Sequence, residues 1–504
     1  SDSFYPKDSL LSGPAGGVVG AAHQALQSGI HHMIAFDMGG TSTDVSLYNN
    51  RYDYRFESRV GNFSILSPSL SIETIAAGGG SICDFDGHRF TVGPHSAGAS
   101  PGPACYGAGG PLTITDVNLL LGRLDPDYFV IPIQKEHAAS ALERLLIRIQ
   151  KKTGRKPDGV RVLESFVQIA NEKMADAIKK ISVQQGHDPH EFALLSFGGA
   201  GGQHACALAS MVGIKKVLVP YDAGLLSAYG MGQAAIERFE EEQVLQPWES
   251  FSNQLDTTLQ RLADTARHRL MQEDLPRDTI QWKKSLLFLR FYGQETAIEI
   301  EYHAGDPVLD SFRKKYVAVY GHWIDRKIEV ESVKVLVAAE PIQAKRPAHR
   351  IIAYKPRPSK TGIMYTRGKK ITGKIYQWEN LKPGAQIDGP ALVISGNSTT
   401  FIDGEWRWVL DAHNHALLTR RASVSRVDAS SRHSPEALLE LFTNRFTALA
   451  QEMGALLQRT SFSVNVKERL DFSCALLDER GHLVVNAPHI PVHLGSLGVC
   501  VREV

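Results

Sequence analysis

Alternating apolar runs and glycine turns predict the elements of the first half of the chain. The apolar runs 33–36 and 193–197 each end in a cluster of glycines, a pattern typical of a strand that leads into a tight turn. Apolar residues at helical spacing predict helices over 9–28, 136–152 and 162–185. Strands that alternate with helices in this way indicate an α/β fold.

The pattern changes after about residue 240. Residues 250–272 predict an amphipathic helix, 282–305 alternate as strands do, and 325–420 contain short strands separated by turns. We therefore expect an accessory α+β domain over 241–422. Residues 423–434 are rich in Ser, Arg, Asp and Pro without periodicity, and they predict a linker.

Composition restricts the class of protein. The 504 residues suggest roughly two to four domains, and 55 basic against 54 acidic side chains give a formal net charge of +1. Because there is no long basic run, neither nucleic acid nor an anionic membrane is expected as a partner. No stretch reaches the roughly 18 apolar residues of a membrane span, and the first residues lack a signal-peptide core, so we expect a cytoplasmic protein.

One stretch, 37–44, carries the most specific chemistry in the chain. Its sequence, Asp-Met-Gly-Gly-Thr-Ser-Thr-Asp, predicts a strand, a tight turn and a second strand. The two glycines let backbone amides approach a ligand, and the three hydroxyl side chains add donors, as in a phosphate cradle. Carboxylates at both ends would repel a bare phosphate, which indicates that Mg²⁺ accompanies it. The candidate residues are Asp37, Gly39, Gly40, Thr41, Ser42, Thr43 and Asp44.

A second glycine turn favours a nucleotide ligand over the alternative, which is an ordinary β-hairpin turn at 37–44. This turn follows the strand 193–197 and precedes a predicted helix over 203–211, an arrangement that offers backbone amides to an anion or a flat face to a base. Its candidate residues are Gly198, Gly199, Ala200 and Gly201. The glycines of 12–17 suit equally well a helix end that faces an anion and a helix packed tightly on a sheet.

The segment 93–107 contains too many Gly and Pro residues for a regular element and predicts an ordered loop. Fixed loops of this length are usually functional, so we place it beside the substrate or the nucleotide. No base can be identified near Cys105, and a structural role is expected for it and for His95. The five cysteines of the chain contain no Cys-x-x-Cys pair, which favours reduced thiols over disulfides or a thiolate zinc site.

The tail of the chain contains a possible ligand set for a divalent metal. His489 and His493 are four residues apart, and Glu468 and Asp471 precede them. Pro491 lies between the histidines and makes a helical pair unfavourable, so shared coordination would need a bent loop. The alternative is that these are loop histidines with surface carboxylates.

Several of these segments together resemble the hydantoinase/oxoprolinase family. Those similar to its hydantoinase A region are 12–20, 37–47, 73–81, 93–107, 115–124 and 197–205, and 465–495 is similar to the beginning of its hydantoinase B region. The stretch 37–44 also resembles the second phosphate loop of actin, Hsp70 and sugar kinases. The resemblance implies an actin/Hsp70-like (ribonuclease H-like) ATPase domain, an α+β accessory domain and the start of a hydantoinase B domain.

The family resemblance also implies an activity. It implies an ATP-dependent cyclic amide hydrolase that opens 5-oxo-L-proline to L-glutamate through a phosphorylated lactam. Mg–ATP would be held by 37–44, with Asp37 and Asp44 as catalytic carboxylates, and adenosine would lie against 198–201. A second divalent metal, Mn²⁺ or Zn²⁺, would activate water at the residues of the tail.

The resemblance further implies that the chain is an internal piece of a longer enzyme. The implied domains are an ATPase core lacking its N-terminal part at 1–240, the accessory domain at 241–422, the linker at 423–434 and the start of hydantoinase B at 435–504. The missing N-terminal region and the rest of hydantoinase B would be its partners, the piece alone would be inactive, and the enzyme is expected to be a homo-oligomer.

Two alternatives to this function remain open. One is another ATP-dependent member of the family, which acts on a hydantoin, as an N-methylhydantoinase does, or carboxylates acetone. The other is a non-enzymatic module in which the nucleotide drives closure around a partner, as in relatives of Hsp70 and actin.

Overall fold

A computed structural model describes residues 12–60, 63–129, 131–183, 187–273, 275–294, 297–320, 322–339, 349–421, 435–461, 463–467, 470–487 and 502. The helices are α1 (Ser12–Gln27), α2 (Ile114–Leu120), α3 (Lys135–Thr153), α4 (Gly159–Ile181), α5 (Gly201–Val212), α6 (Leu226–Met231), α7 (Trp248–Phe251), α8 (Leu255–Met271), α9 (Val308–Tyr320), α10 (Pro435–Thr460) and α11 (Val464–Lys467).

The strands are β1 (His32–Met38), β2 (Thr43–Asn49), β3 (Tyr54–Val60), β4 (Phe63–Leu70), β5 (Ile72–Ile75), β6 (Ser81–Phe85), β7 (Phe90–Ser96), β8 (Ala193–Phe197), β9 (Lys216–Pro220), β10 (Ile236–Pro247), β11 (Ile280–Phe291), β12 (Ile298–Glu301), β13 (Ile328–Ala339), β14 (Lys360–Thr366), β15 (Lys369–Gln377), β16 (Gln386–Asp388), β17 (Ala391–Ile394), β18 (Thr399–Ile402), β19 (Trp406–Leu410), β20 (His415–Arg420), β21 (Ala475–Leu477) and β22 (Leu483–Asn486).

The chain forms two compact units. The first consists of Ser1–Gly232 and Lys345–Arg445, and the second of Gln233–Ala344 and Phe446–Val504. Within the described residues, none of the helices combines the length and the apolar content needed to cross a bilayer.

A mixed sheet organises the first unit. Its strand order is β16, β19, β20, β9, β8, β1, β2, β5. The central strands β1, β8 and β9 are parallel, whereas β2 returns antiparallel to β1. All five residues of β8 are buried, as is typical of a strand covered on both faces. Because β1 and β8 are parallel, the turns that follow them emerge at the same edge of the sheet.

Helices cover this sheet as the apolar pattern predicts. Helix α4 begins at Gly159, where the Asp158 side chain accepts hydrogen bonds from the amides of Val160 and Arg161. Its apolar stripe is buried, with Phe166 and Ile178 fully inaccessible. It ends at Ile181, earlier than the predicted end at residue 185.

The stretch 241–422, which was expected to form one accessory domain, is divided between the two units. Strand β20 pairs with β9 of the first unit from His415, opposite Pro220, to Thr419, opposite Lys216. Trp406 and Trp408 on β19 are fully buried in the same core. A local pattern shows that a segment is a strand but not which sheet it joins, so the sequence did not reveal this division. The predicted linker 423–434 lies outside the described residues.

The second unit is built on an antiparallel sheet of order β10, β13, β11, β12. Residues of α8 and α9 pack with this sheet in one apolar core. In that core the rings of Phe291 and Tyr316 meet edge to face at 4.8 Å. This unit matches the expectation of an α+β fold for its part of the chain.

Helices α1 and α6 pack more closely than side chains would allow. A Cβ placed on Gly230 would collide with the carbonyl oxygen of Gly16 and would lie 2.5 Å from the amide nitrogen of Gly20. A Cβ on Gly20 would lie 2.6 Å from the carbonyl oxygen of Leu226. Gly16 and Gly20 therefore serve tight packing, which was one of the two roles expected for the glycines in this region, whereas a Cβ on Gly13 would meet nothing within 4 Å.

This contact predicts the effect of adding one methyl group. Gly230→Ala should destabilise the first unit by at least about 2 kcal/mol, because the colliding atoms belong to a backbone and cannot move aside. Thermal denaturation of the chain measures the effect as a lower Tm. The control is Gly13→Ala, where a Cβ meets nothing within 4 Å and alanine favours the helix. Equal Tm values for the two variants would contradict the packing described.

Candidate functional site

Two carboxylates face each other across the hairpin of β1 and β2. Asp37 and Asp44 are paired in register, and the amide of Gly39 donates to the carbonyl oxygen of Ser42 at 3.1 Å to close the turn 39–42. Side chains alternate along a strand, so both carboxylates lie on one face while Thr43 points to the other. The predicted pair of acidic residues therefore lies at the carboxyl end of β1.

The environment of these carboxylates disfavours two negative charges. Burial, and secondly the charge of Asp44, raises the pKa of Asp37 to about 6, while a hydrogen bond from Ser227 acts in the opposite direction. Burial also raises the pKa of Asp44, and the Thr74 hydroxyl opposes this by donating to its Oδ1 at 2.5 Å. A bound cation would relieve the repulsion.

The two predicted glycine turns meet at the end of β1. The amide of Ala200 donates to the carbonyl oxygen of Met38 at 3.1 Å. Gly198 has a φ of +76°, and a Cβ there would collide with Asp37 Oδ1 and with the Met38 carbonyl. Glycine is thus required at 198 by a left-handed backbone and by a close approach to the acidic pair.

For three other glycines at this place, the described residues give no such reason. A Cβ on Gly40 or Gly199 would meet nothing within 4 Å, and one on Gly39 would meet only the Ser42 carbonyl oxygen at 3.9 Å. None of the three has a φ in the left-handed region. These positions leave open space over backbone amides beside two carboxylates, which suits a ligand that approaches the backbone closely.

The hydroxyl residues of the hairpin turn do not share one orientation. Thr41 is exposed and Ser42 is half-buried, so both remain at the open side of the turn. Thr43 is fully buried, and its hydroxyl donates to the carbonyl oxygen of Ala77 at 2.5 Å. The Thr43 hydroxyl is therefore bonded inside the protein and does not face the open side of the turn, in contrast to the donor role expected for it.

The glycine cluster 78–80 packs against the hairpin turn and hydrogen-bonds to it. The amides of Gly79 and Gly80 donate to the carbonyl oxygens of Gly39 and Gly40 at 3.0 and 2.6 Å. A Cβ on Gly78 would lie 2.6 Å from the carbonyl carbon of Thr41. This cluster therefore fixes the shape of the turn.

The segment 93–107 adjoins the same support. Contrary to the expectation of a loop throughout, residues 93–96 belong to strand β7, and the loop begins after Ser96. The amide of Ala97 donates to the carbonyl oxygen of Gly80 at 2.9 Å. The fully buried carboxylate of Asp116 anchors the far end of the loop by accepting from the amides of Ala104 and Cys105 at 3.0 and 2.7 Å. The Cys105 thiol is buried and its pKa is raised by that burial and by the charge of Asp116, which fits the structural role expected for it.

The metal ligands predicted in the tail are mostly outside the described residues. This applies to Glu468, His489 and His493, whereas Asp471 is described and exposed. Among the residues that the structure describes, no group of three or more His, Cys, Asp or Glu side chains is placed to hold a metal ion. The metal site in the tail stays a prediction.

Sequence reasoning missed two side chains of the site. Thr74, near the end of β5, donates a hydrogen bond to Asp44, and Ser227, in the first turn of α6, acts to lower the pKa of Asp37. Thr74 lies within the family-like segment 73–81, but nothing in that segment marked it as a partner of the acidic pair. Thr74 is opposite Asp44 in the pairing of β2 with β5, so strand register is the signal that would have found it.

Three family models match the chain. The model described as hydantoinase/oxoprolinase matches residues 2–240, that of the hydantoinase/oxoprolinase C-terminal domain matches 246–420, and that of hydantoinase B/oxoprolinase matches 436–504.

Curated relatives match over the whole chain. The chain is 35% identical to the 5-oxoprolinase PfmaA of Pestalotiopsis fici, over 100% of this chain and 41% of that protein. It is 36% identical to 5-oxoprolinase 1 of Arabidopsis thaliana, over 99% of this chain and 41% of that protein. The chain thus spans about two fifths of the length of these relatives.

Solved structures of similar fold include an ATP-dependent caprolactamase from Pseudomonas jessenii, with a TM-score of 0.72 and 26% identity. Nucleotide-free acetone carboxylase has a TM-score of 0.65 and 22% identity, which shows the fold alone. Each match covers 81% of this chain and 61% of the other. The α/β fold, the three matching models and the full-length similarity agree, and the chain belongs to the hydantoinase/oxoprolinase family.

Proposed function

We propose that the turn 39–42 and the glycine loop 198–202 hold a magnesium-bound nucleotide, and that the nucleotide is ATP. The observation that carries this proposal is the acidic pair Asp37 and Asp44. Beside this pair lie three glycines at which the backbone faces open space, namely Gly39, Gly40 and Gly199. Carboxylates that repel each other suit a divalent cation, and exposed amides suit the phosphates bound to it.

The roles of the residues follow from this arrangement. Asp37 and Asp44 would hold Mg²⁺ directly or through water, the amides of 39–42 would bind phosphate oxygens, and the loop 198–201 would lie against adenosine. ATP would supply a phosphoryl group that makes the carbonyl carbon of a cyclic amide electrophilic. The contribution of these residues is placement and charge neutralisation.

The fold proposed for this half is that of the actin/Hsp70-like ATPases. Two features support it: a hairpin whose turn carries the Asp-x-Gly-Gly sequence, and a later glycine loop that packs against the same strand. In such ATPases the nucleotide is clamped between two loops of this kind.

For the longer enzyme we propose the ATP-dependent opening of 5-oxo-L-proline to L-glutamate. The support is the name shared by the relatives in Pestalotiopsis fici and Arabidopsis thaliana. Hydrolysis of the activated ring would take place in the hydantoinase B region, with a divalent metal held by Asp471, His493 and either Glu468 or His489. The names of the structural neighbours keep caprolactam opening and acetone carboxylation as alternative reactions.

The nucleotide site predicts a binding defect. Asp37→Ala should abolish Mg–ATP binding to this chain, measured by isothermal titration, because the cation would lose one of the two carboxylates proposed to hold it. The control is Asp86→Ala, which removes an exposed carboxylate from the turn between β6 and β7. Wild-type affinity in Asp37→Ala would refute the site.

The raised pKa of Asp37 predicts how stability depends on pH. The folded chain keeps the proton on the Asp37 carboxyl group up to about pH 6, because its pKa is raised, whereas an unfolded aspartate loses its proton near the usual pKa of 3.8. The free energy of unfolding therefore falls as the pH rises through this window. Asp37→Asn removes the charge and should stabilise the metal-free chain by on the order of 2 kcal/mol at about pH 7.5, and by little at about pH 4.

Urea denaturation at both pH values, with a chelator present, measures this difference. The same stability increment at both values, or a loss at the higher pH, would contradict the assigned environment of Asp37.

The substrate is tested by ATP turnover in the longer enzyme. ADP release should be stimulated by 5-oxo-L-proline and much less by a hydantoin, by caprolactam, or by acetone with bicarbonate. Stimulation by one of the other compounds alone would reassign the reaction and leave the nucleotide site intact.

A further inference from the structure

Helix α2 is hydrogen-bonded to the segment that supports the turn 39–42. The amide and the hydroxyl group of Thr115, in the first turn of α2, both donate to the carbonyl oxygen of Gly79, at 2.8 and 2.9 Å. The amide of Gly79 in turn donates to the carbonyl oxygen of Gly39 at 3.0 Å. Two successive hydrogen-bonded steps thus connect α2 with the turn.

The same helix reaches the second glycine loop through a chain of buried side chains. Asn118 Nδ2 on α2 lies 3.1 Å from His204 Nε2, and His204 Nδ1 lies 2.7 Å from Asn171 Oδ1 on α4. All three side chains are buried. His204 belongs to the first turn of α5, which begins at Gly201 within the glycine loop. The start of α5 is therefore bonded to α2 on one side and to α4 on the other.

The partners of His204 fix the position of its proton. Burial, and secondly the positive charge of Arg123, lowers the pKa of His204 to about 3, so the ring is neutral near pH 7. Because Asn171 Oδ1 can only accept, Nδ1 carries the proton and Nε2 accepts from the Asn118 amide. A neutral ring that is bonded through both nitrogens is suited to holding a helix in place.

The two links leave α2 from one face of the helix. Thr115 and Asn118 are three residues apart, which places them side by side on a helical surface. The two glycine turns also approach each other here: a Cβ on Gly79 would lie 2.8 Å from Thr115 Oγ1, 3.9 Å from the Gly39 carbonyl oxygen and 4.0 Å from the Ala200 Cβ. Helix α2 therefore adjoins both turns at the place where they come together.

We propose that Thr115 and Asn118 are positioning residues, and that through them α2 sets the distance between the turn 39–42 and the loop 198–202. This role rests on the proposed function, in which phosphates bind the turn and adenosine lies against the loop. A ligand that spans both depends on their spacing, because a small displacement of either one removes contacts at one end. In this role neither side chain needs to touch the nucleotide.

The threonine is tested by a change that keeps its shape. Thr115→Val removes the hydroxyl group and should lower the affinity for Mg–ATP about fivefold in isothermal titration, in line with the loss of one hydrogen bond. Thr115→Ser keeps the hydroxyl group and should retain the affinity of the unchanged chain. The control is Thr153→Val, because Thr153 is also half-buried and donates to a backbone carbonyl, that of Ile149, at 2.8 Å near the end of α3.

A shorter ligand separates positioning from a general loss of structure. Magnesium tripolyphosphate can occupy the turn 39–42 but has no group to lie against the loop 198–202. Asn118→Ala breaks the link to His204, and it should lower the affinity for Mg–ATP about tenfold and that for magnesium tripolyphosphate by less than about twofold. An equal fall for both ligands would show a structural defect alone and would overturn the proposal.

The outcomes distinguish this role from the proposed function. If the unchanged chain does not bind Mg–ATP, the proposed function and this role are both wrong. If it binds, and Thr115→Val and Asn118→Ala bind as tightly, only the positioning role is overturned. Should Asn118→Ala not fold, the comparison of Thr115→Val with Thr115→Ser and Thr153→Val decides the question.

Discussion

The backbone of Gly198 lies so close to Asp37 and to the Met38 carbonyl that no side chain could stand between them. This approach brings the two glycine turns together at the carboxyl end of β1. It depends on the parallel pairing of β1 with β8, which brings both turns to one edge, and on the left-handed φ of Gly198. A larger residue at 198 would separate the loops, although each could still form locally.

The same arrangement also places two carboxylates close enough to repel each other. The hairpin register sets Asp37 directly opposite Asp44, and partial burial keeps water from screening their charges fully. A protein gains nothing from such a pair as part of its fold, and strongly perturbed carboxylates in an open site are typical of functional positions. A bound cation and its nucleotide would neutralise the two carboxylates and so remove this repulsion. The stability that the free chain loses through the repulsion would therefore contribute to the affinity for the ligand.

The secondary structure around the candidate site could largely be predicted from the sequence. The strand, turn and strand of 37–44 and the glycine turn after β8 could be predicted because glycine clusters and apolar runs are local signals. The inward direction of Thr43 and the hydrogen bond from Thr74 to Asp44 could not be predicted, because they depend on which face a strand presents and on how β5 pairs with β2. The placement of β19 and β20 in the first sheet was missed for the same reason, since pairing across about 200 residues leaves no local pattern.

The likeness to an ATP-dependent caprolactamase and to acetone carboxylase agrees with a shared fold that serves different substrates. The part that such enzymes would share is the nucleotide site. A crystal structure of this chain with Mg²⁺ and a non-hydrolysable ATP analogue tests it most directly. We expect phosphate density over the amides of 39–42, a cation beside Asp37 and Asp44, and the base near Gly199. Nucleotide density elsewhere, or a cation bound away from the acidic pair, would contradict the account.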